Sequence, residues 1–205
     1  RRLEELCYEI ERSGIQFNWI INARPNTFNT RDIDLLKRAK DLGALVMGGA
    51  FESADEGILK AMNKHLRIEQ YVEQVRVARE AGLAVSTSLV FGYPQETKET
   101  IKKTINLCRE LEVYPSSGFL LPLPKTPIYV YALKHGLIGD QEEYLLKIGD
   151  RQDLHINMTK MTDAEFYDTL RNELISLKND LGIPISDDNV IKTTIYKIAR
   201  TPNQS

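Results

Sequence analysis

Cysteine is scarce in this sequence, which has two cysteines, Cys7 and Cys108, among 205 residues. Both fall on the apolar face of a predicted helix, where a free cysteine usually packs as a small hydrophobic side chain. Two thiols make a disulfide framework improbable, and a metal site held by cysteines needs more ligands than these two. We therefore expect a reducing compartment and a cytoplasmic protein.

Long apolar runs and a strong net charge are lacking as well. No apolar run approaches the ~20 residues that a membrane-spanning helix needs. The formal net charge is -2, so the sequence offers no general attraction to nucleic acid or to an anionic membrane surface. We therefore predict no nucleic-acid partner and no membrane partner.

Several catalytic patterns are absent too. The three histidines show no metal-ligand spacing, and the sequence contains no Ser-His-Asp order, glycine-rich phosphate loop or zinc spacing. What remains is an ordinary globular composition, with 42% apolar and 27% charged residues, which suffices for one sizeable core. Evidence of function must therefore come from the polar side chains that lie next to the predicted strands.

Residues 1–135 repeat one unit, which consists of a helix, a glycine and an apolar strand. The four predicted strands lie in the segments "IQFNWIINAR", "ALVMGGAF", "LAVSTSLVFG" and "GFLLPLP". Because these segments are almost continuously apolar, they are typical of parallel strands covered by helices. Their spacing of ~30 to 40 residues fits strand–helix units with right-handed crossovers. The sequence therefore predicts an α/β fold with outer helices, as part of a (β/α) barrel or of an open sheet.

Residues 136–205 follow a different pattern, which predicts a mostly helical C-terminal extension. It begins with a short polar helix in "QEEYLLKIGD" and ends with a short helix in "DDNVIKTTIYKIAR". Between them lies a longer helix whose apolar face carries Tyr167, Leu170, Leu174, Leu177 and Leu181. We therefore divide the chain into a partial barrel, residues 1–135, and this extension.

Capping residues mark several helix starts. Asn29 or Thr30 can cap the second helix and Thr97 the fourth, while Thr162 and Glu165 form a capping box before the long C-terminal helix. The first helix, within "RRLEELCYEI", has no such residue. Because a natural start usually offers a cap, we expect a fragment of a longer protein.

Polar groups or irregular backbone follow each of the four predicted strands. In parallel α/β folds the functional groups collect at the carboxyl ends of the strands. Arg24 could hold a carboxylate by paired hydrogen bonds, and Glu52, followed by Ser53, could accept from the two hydroxyls of a ribose. Gly92 and the prolines near it would let backbone approach a flat ring. Lys64 lies about three helical turns beyond Glu52, so it could point back toward the same cleft.

Each of these residues also has a structural interpretation. Arg24 could pair with a nearby acid, and Glu52 and Ser53 could cap the following helix. Gly92 could belong to a tight turn between a strand and a helix. Lys64 could be a solvated surface lysine.

Three segments, in this order and spacing, resemble the radical S-adenosylmethionine superfamily. They are "FESADEGILKAMNK", "AREAGLAVSTSLVFGYPQET" and "LPLPKTPIY". The closest similarity is to its cobalamin-binding and coproporphyrinogen-oxidase-like branches, over roughly residues 15–135. The first segment is similar to the fourth barrel strand of the family, the second to the fifth strand with its Gly-x-Pro-x-Glu-Thr turn, and the third to the sixth.

The resemblance implies a role for individual residues. Glu52 would bind the ribose of S-adenosylmethionine, and Ser88 would occupy a second ribose position where relatives often carry a carboxylate. Lys64 would meet the methionine carboxylate, where relatives often have arginine. Val90 and the backbone around Leu123 would line the adenine. The predicted cofactor-binding residues are thus Arg24, Glu52, Ser53, Lys64, Ser88, Val90, Gly92 and Leu123, with no catalytic residue and no metal ligand.

The resemblance also implies an iron–sulfur cluster whose ligands lie outside this chain. The family binds a [4Fe-4S] cluster through a Cys-x3-Cys-x2-Cys loop, because the cluster irons take sulfur ligands. This sequence has no such loop, and its similarity begins at what would be the third strand. The chain is therefore expected to be the C-terminal portion of the partial barrel.

The parent enzyme would cleave S-adenosylmethionine reductively to a 5'-deoxyadenosyl radical, and cobalamin would be a further cofactor in the cobalamin-binding branch. The isolated chain is expected to be inactive. The resemblance leaves the substrate and the reaction subtype open.

Two other functions stay open. One is a (β/α)-barrel enzyme without a radical, which would form a Schiff base on Lys64 or Lys125. The other is a non-catalytic module that binds another protein. The first predicted strand, residues 17–23, would have an open edge, and such an edge invites pairing with another chain. We therefore predict self-association through this strand.

Overall fold

The computed structural model describes residues 2–149 and 151–191 and shows an α/β fold. Its strands are β1 (Trp19–Asn22), β2 (Ala44–Gly48), β3 (Ala84–Ser86), β4 (Ser88–Phe91) and β5 (Ser116–Phe119). Its helices are α1 (Arg2–Ser13), α2 (Ile33–Asp41), α3 (Glu56–Ala61), α4 (Ile68–Glu80), α5 (Lys98–Glu110), α6 (Pro127–Lys134), α7 (Gln141–Lys147) and α8 (Asp163–Asp180).

All the paired strands are parallel, in a three-stranded sheet, β1-β2-β3, and a two-stranded sheet, β4-β5, which follow one another and are together called the wall. β1 pairs with β2, β2 with β3, and β4 with β5. Only Thr87 separates β3 from β4, and its backbone oxygen accepts from the N–H of Ser116 at 2.9 Å. Beyond β2, Glu52 forms a further parallel bridge with Leu89 of β4. Neighbouring parallel strands with helices in their connections confirm the predicted part of a (β/α) barrel.

The helices cover one side of this wall, where the apolar side chains are buried. β4 alternates, so that Leu89 and Phe91 are buried against the helices while Ser88 and Val90 face the other side. α2 and α4 cover β1 to β3 with residues that include Leu36, Ala39, Val77 and Ala78. The opposite side of the wall is left to smaller and more polar side chains.

The predicted helix starts agree with the structure. Asn29 accepts from the N–H of Arg31 and begins a 3-10 turn that leads into α2, and Thr97 caps α5. Thr162 and Glu165 form the capping box of α8. None of the helices in the two described ranges combines the length and the apolar character that a membrane crossing requires.

Two details differ from the prediction, and a third lies largely outside the described residues. The fourth strand, predicted at residues 118–124, lies at Ser116–Phe119, because Pro122 and Pro124 have no N–H to donate to a neighbouring strand. The buried face of α8 carries Phe166 rather than Tyr167, which is 40% exposed. The predicted last helix lies largely outside the described residues, which end with a 3-10 turn at Asp187–Asn189 and the two residues that follow it.

The C-terminal extension packs onto the barrel helices. Phe166, Leu170, Leu174 and Leu177 of α8 share one core with residues of β4, β5 and α5. The division of the chain at residue 135 stays a prediction.

A second contact joins the extension to the edge of β5. The N–H of Phe119 donates to the backbone oxygen of Arg151 at 2.6 Å. Gly118 allows this approach, since a Cβ atom there would lie 2.9 Å from the Cβ of Arg151.

Candidate functional site

A cleft of about 860 Å³ runs along the inner side of the wall. Its volume is within the usual range for small-molecule sites. Most of its lining is contributed by the strands, by the loop after β1 and by the segment between α3 and α4. The polar side chains that line it include Asn22, Arg24, Lys64, Ser86, Ser88 and Ser116.

The cleft exists because the strand residues that line it are small. In many (β/α) barrels branched apolar side chains fill the interior, whereas here the corresponding lining includes Gly48, Ser86, Ser88 and Ser116. Gly48 also allows β1 to lie close, since a Cβ atom there would be 2.5 Å from Oδ1 of Asn22. The sequence thus leaves space for a ligand where other barrels place a core.

Glu52 and Lys64 meet beside this cleft. Nζ of Lys64 donates to Oε1 of Glu52 at 3.0 Å, and their side chains are 25% and 20% exposed. Oε2 of Glu52 is buried and has no hydrogen-bond partner among the described residues. The two residues that sequence reasoning placed about three helical turns apart are therefore brought together.

Backbone strain is concentrated around the same pair. Glu52 has a φ of 69°, and Asn63 and His65, on either side of Lys64, have φ values of 54° and 48°. Non-glycine residues rarely adopt such angles, and strain of this kind tends to collect at functional sites. Two other non-glycine residues of the described chain have a positive φ, Glu112 after α5 with 48° and Lys125 in the loop after β5 with 67°.

Ser53 lies elsewhere. Its side chain is buried, its hydroxyl accepts from the N–H of Asp55 at 3.1 Å, and its oxygen lies 3.4 Å from Oγ1 of Thr104 on α5. The cap of α3 is Asp55, which accepts from the N–H of Ile58. The structure therefore does not bring Ser53 to the cleft, and neither Glu52 nor Ser53 is the side-chain cap of this helix.

The other predicted residues lie at different distances from the cleft. Arg24 and Ser88 line it, and Val90 faces the same side of β4 as Ser88. Gly92 has a φ of 115°, so a side chain there would be strained as well as close to Phe166. Leu123 is 52% exposed on the loop after β5. Val90, Gly92 and Leu123 are thus near the strand ends without lining the cleft itself.

Gln74 of α4 supports the site, although sequence reasoning missed it. It is buried, and its Oε1 accepts from the N–H groups of Thr27 and Phe28 at 2.8 and 2.9 Å. These bonds anchor the loop that carries Arg24. A lone glutamine among the apolar residues of "YVEQVRVA" was the available signal.

Glu96, the glutamate of the Gly-x-Pro-x-Glu-Thr turn, is a second buried polar residue, and sequence reasoning gave it no role. Its carboxylate accepts from Oγ1 of Thr100 at 2.5 Å and from the N–H of Gly92 at 3.4 Å. Burial raises the pKa of Glu96 to about 7, against the lowering effect of these two hydrogen bonds. Glu96 therefore holds the turn that follows β4.

The pKa of Tyr93, which lies within that turn, depends on Glu52. Burial raises the pKa of the Tyr93 hydroxyl, and the negative charge of Glu52 raises it further. The turn after β4 therefore interacts electrostatically with Glu52, which follows β2 in the chain.

The residues present do not fit an iron–sulfur cluster. Cys7 and Cys108 are buried on α1 and α5, and burial raises the pKa of both thiols. Across residues 2–149 and 151–191, no group of three or more His, Cys, Asp and Glu side chains could hold a metal ion. The cleft, by contrast, is lined by hydroxyl and cationic side chains, and the carboxylate of Glu52 lies beside it, bound to Lys64.

Comparison with known sequences identifies related proteins. The sequence profile of the Radical SAM superfamily matches residues 1–108. An uncharacterised methyltransferase of Pyrococcus horikoshii is 28% identical over 139 residues, which are 67% of this chain and 30% of the relative. A tRNA-2-methylthio-N(6)-dimethylallyladenosine synthase of Anoxybacillus flavithermus is 30% identical over 128 residues, 61% of this chain and 24% of the relative. The chain thus spans less than a third of the length of either protein.

Solved structures share the fold. Coproporphyrinogen III oxidase of Escherichia coli, a radical SAM enzyme, matches with a TM-score of 0.60 and 17% identity, over 87% of this chain and 37% of that one. The radical S-adenosylmethionine methyltransferase TsrM of Kitasatospora setae, solved with cobalamin and a [4Fe-4S] cluster, matches with a TM-score of 0.52 and 21% identity. That match covers 66% of this chain and 28% of TsrM. Both branches indicated by the sequence resemblance are thus represented among the matching folds.

Proposed function

This chain belongs to the radical SAM superfamily, and we propose that its cleft is the nucleoside-binding part of an S-adenosylmethionine site in a longer enzyme. Members of the superfamily use S-adenosylmethionine together with a [4Fe-4S] cluster. The observation that carries the proposal is Glu52, whose strained backbone and partly unsatisfied carboxylate lie beside a cleft of about 860 Å³.

The parent enzyme would cleave S-adenosylmethionine reductively, with the cluster held by cysteines outside this sequence. Support comes from the two cysteines of the chain, which are buried on separate helices, and from the 30% and 24% of the first two relatives that it spans. When bound, the cluster would supply the electron for this cleavage. Without it, the isolated chain would bind the ligand but would not cleave it.

The residues of the chain would bind and orient the ligand. Glu52 would accept from the ribose hydroxyls, and the hydroxyl of Ser88 would accept from them or donate to them. Arg24 and Lys64 are the cations available for the methionine carboxylate. The backbone after β4, kept close by Gly92, would lie along the adenine.

Direct binding tests this proposal. We expect the chain to bind S-adenosylmethionine in isothermal titration calorimetry, and Glu52→Ala to weaken that binding. The matched control is Glu142→Ala, which removes an exposed carboxylate on α7. Absence of binding to the wild-type chain, or an equal loss in both variants, would overturn the proposal.

The parent enzyme has a separate test. The native coding sequence that precedes Arg1 should encode a Cys-x3-Cys-x2-Cys loop. The enzyme expressed from that longer sequence should produce 5'-deoxyadenosine, while the present chain should not. A longer protein without the loop would remove the cluster from the proposal.

A Schiff-base lysine is not favoured. Lys64 is engaged by Glu52 and Lys125 is exposed, so neither lies in the apolar pocket that such a lysine needs.

Buried, free cysteines at positions 7 and 108 support a reducing compartment, and we infer a cytoplasmic location.

The edge of β1 supports a second property, pairing with another chain. Within the described residues β1 pairs with β2 alone, and Ile20 of this strand is 44% exposed. An unpaired strand edge offers N–H and C=O groups to a further strand. We propose that the chain self-associates through this edge.

A further inference from the structure

Glu52 lies at the centre of a three-residue turn. The N–H of Ser53 donates to the backbone oxygen of Phe51 at 2.9 Å, and Glu52, between them, has a φ of 69°. A γ-turn with a positive φ at its central residue is the rare and strained form. Such a conformation persists only where the surrounding structure holds it. The direction of the Glu52 carboxylate therefore depends on what holds the chain on either side of the turn.

The chain that enters the turn is held by packing and by a strand. Phe51 is buried, and its ring centre lies 4.6 Å from that of Tyr71 on α4, with 30° between the two ring planes. Glu52 itself forms the parallel bridge with Leu89 of β4. These contacts fix where the turn begins, but they do not act on the backbone that follows Glu52.

The chain that leaves the turn is held by the side chain of Thr104 on α5. Oγ1 of Thr104 accepts from the N–H of Ala54 at 3.0 Å and lies 3.4 Å from Oγ of Ser53. Thr104 is 0% exposed, Ser53 2% and Ala54 5%. Because these groups are withdrawn from water, loss of the hydroxyl would leave the N–H of Ala54 buried without an acceptor, which is unfavourable.

The position of Thr104 within its helix supports a specific role for its hydroxyl. A threonine inside a helix commonly returns its hydroxyl to a backbone oxygen one turn earlier. The hydrogen bonds described for Thr104 run instead to residues 53 and 54. The other buried residues of α5 are apolar or a thiol: Ile101, Ile105, Leu107 and Cys108. A polar side chain is therefore placed among them at the point that faces the end of the turn.

We propose that Thr104 is a positioning residue, whose hydroxyl holds the strained turn closed and thereby directs the carboxylate of Glu52 toward the cleft. The proposal rests on the proposed function, in which Glu52 accepts from the ribose hydroxyls. It gives Thr104 no contact with the ligand, because α5 covers the side of the wall that faces away from the cleft. Thr104 acts on Glu52 through the backbone of residues 53 and 54.

Hydrogen exchange in the native state tests the effect on the turn. Thr104→Val keeps the shape of the side chain and removes the hydroxyl. The amide of Ala54 should exchange faster, because it loses its acceptor. The amide of Ser53 should also exchange faster, although its own acceptor is Phe51, because the turn opens more often. Thr104→Ser retains the hydroxyl and should keep exchange slow at both amides.

Calorimetry tests the effect on the site. Thr104→Val should weaken the binding of S-adenosylmethionine by about threefold to tenfold, because the closed turn is less populated before the ligand arrives. Thr104→Ser should bind with nearly the affinity of the wild-type chain. Rescue by serine would show that the hydroxyl, rather than the packing of the side chain, supports binding.

The matched control is the next residue of the same helix. Ile105 is also 0% exposed, and Ile105→Val removes a buried methylene without touching the turn. This variant should lower the free energy of unfolding in urea but leave the affinity and the local exchange of Ser53 unchanged. Thr104→Ala, which also lacks the hydroxyl, keeps the test available if Thr104→Val does not fold.

The outcomes are distinct. If Thr104→Val speeds exchange at Ala54 but changes neither the exchange of Ser53 nor the affinity, the hydroxyl satisfies one N–H and the inference is wrong. If Ile105→Val causes the same losses, Thr104 acts through global stability and the inference is again wrong. If the wild-type chain does not bind S-adenosylmethionine, the proposed function fails, and the exchange of Ser53 alone decides whether Thr104 holds the turn.

Discussion

The carboxylate of Glu96 accepts a hydrogen bond from the backbone N–H of Gly92, at 3.4 Å, across the turn that follows β4. Glu96 is 1% exposed, and burial raises its pKa to about 7 from an ordinary value of 4.5. The folded chain therefore binds this proton more tightly than the unfolded chain does. Between these two values, the unfolded state is ionised first, so stability falls as the pH rises.

We predict that the free energy of unfolding decreases as the pH rises from about 5 to about 8, by up to about 3 kcal/mol from this group. Glu96→Gln should abolish that component, because an amide carries no titrating proton and can still accept from Gly92. Urea denaturation across this pH range measures it. Glu142→Gln, on the surface of α7, should keep the wild-type profile, and a Glu96→Gln profile that matched the wild type would contradict the assignment.

A substitution at Gly92 should destabilise the contact between β4 and α8. A Cβ atom there would lie 3.3 Å from two ring carbons of Phe166, and the φ of 115° already disfavours any side chain. We expect Gly92→Ala to lower the free energy of unfolding by about 2 to 3 kcal/mol. Gly136→Ala provides the comparison, since Gly136 also has a positive φ, 68°, but open space around its Cβ position; an equal loss in both would show that the Phe166 contact adds nothing.

Removal of the Gln74 amide should loosen the loop after β1. Gln74→Met would leave the N–H groups of Thr27 and Phe28 without their acceptor, at a cost of about 1 to 3 kcal/mol. Hydrogen exchange should show faster exchange at these two amides. Binding of S-adenosylmethionine should weaken in the same variant, because the loop carries Arg24. Unchanged exchange at both amides would show that Gln74 is not what orders the loop.

Self-association should depend on the edge of β1. We expect the average mass measured by light scattering to rise with concentration, because β1 pairs on one side only within the described residues. Ile20→Lys places a charge on this edge and should reduce the association. Val130→Lys changes a residue that is 58% exposed on α6 and should not. A wild-type chain that stays monomeric at high concentration would contradict the prediction.

Local chemistry made the fold predictable from the sequence. The parallel strands follow from continuous apolar runs, and Asn29, Thr97 and Thr162 fix helix starts through hydrogen bonds within three residues of themselves. The bounds of β5 were less accessible, because an apolar run continues to residue 124 although Pro122 and Pro124 cannot donate to a neighbouring strand. The choice of Phe166 over Tyr167 likewise depends on which side of α8 meets β4 and β5.

The contact between Glu52 and Lys64 was predictable from the sequence. The position of the Ser53 hydroxyl was less predictable, because it could face the cleft or α5. Glu52 and Lys64 are brought together as their spacing suggested. Ser53 follows Glu52 directly, but the strained backbone at Glu52 turns its neighbour toward Thr104. Gln74 escaped notice because its partners are backbone N–H groups, which no sequence motif displays. Glu96 belongs to the Gly-x-Pro-x-Glu-Thr turn, but the motif does not show that its carboxylate is buried and bound to Thr100 and Gly92.

The outer edges of β1 and β5 differ in whether they can pair with a further strand. At β5 the N–H of Phe119 is already taken by the backbone of Arg151, over a glycine that admits no side chain. At β1 no described strand occupies the outer side. A further strand would therefore pair with β1, whether it came from the same polypeptide or from another copy. Such a strand would lie next to Asn22 and Arg24.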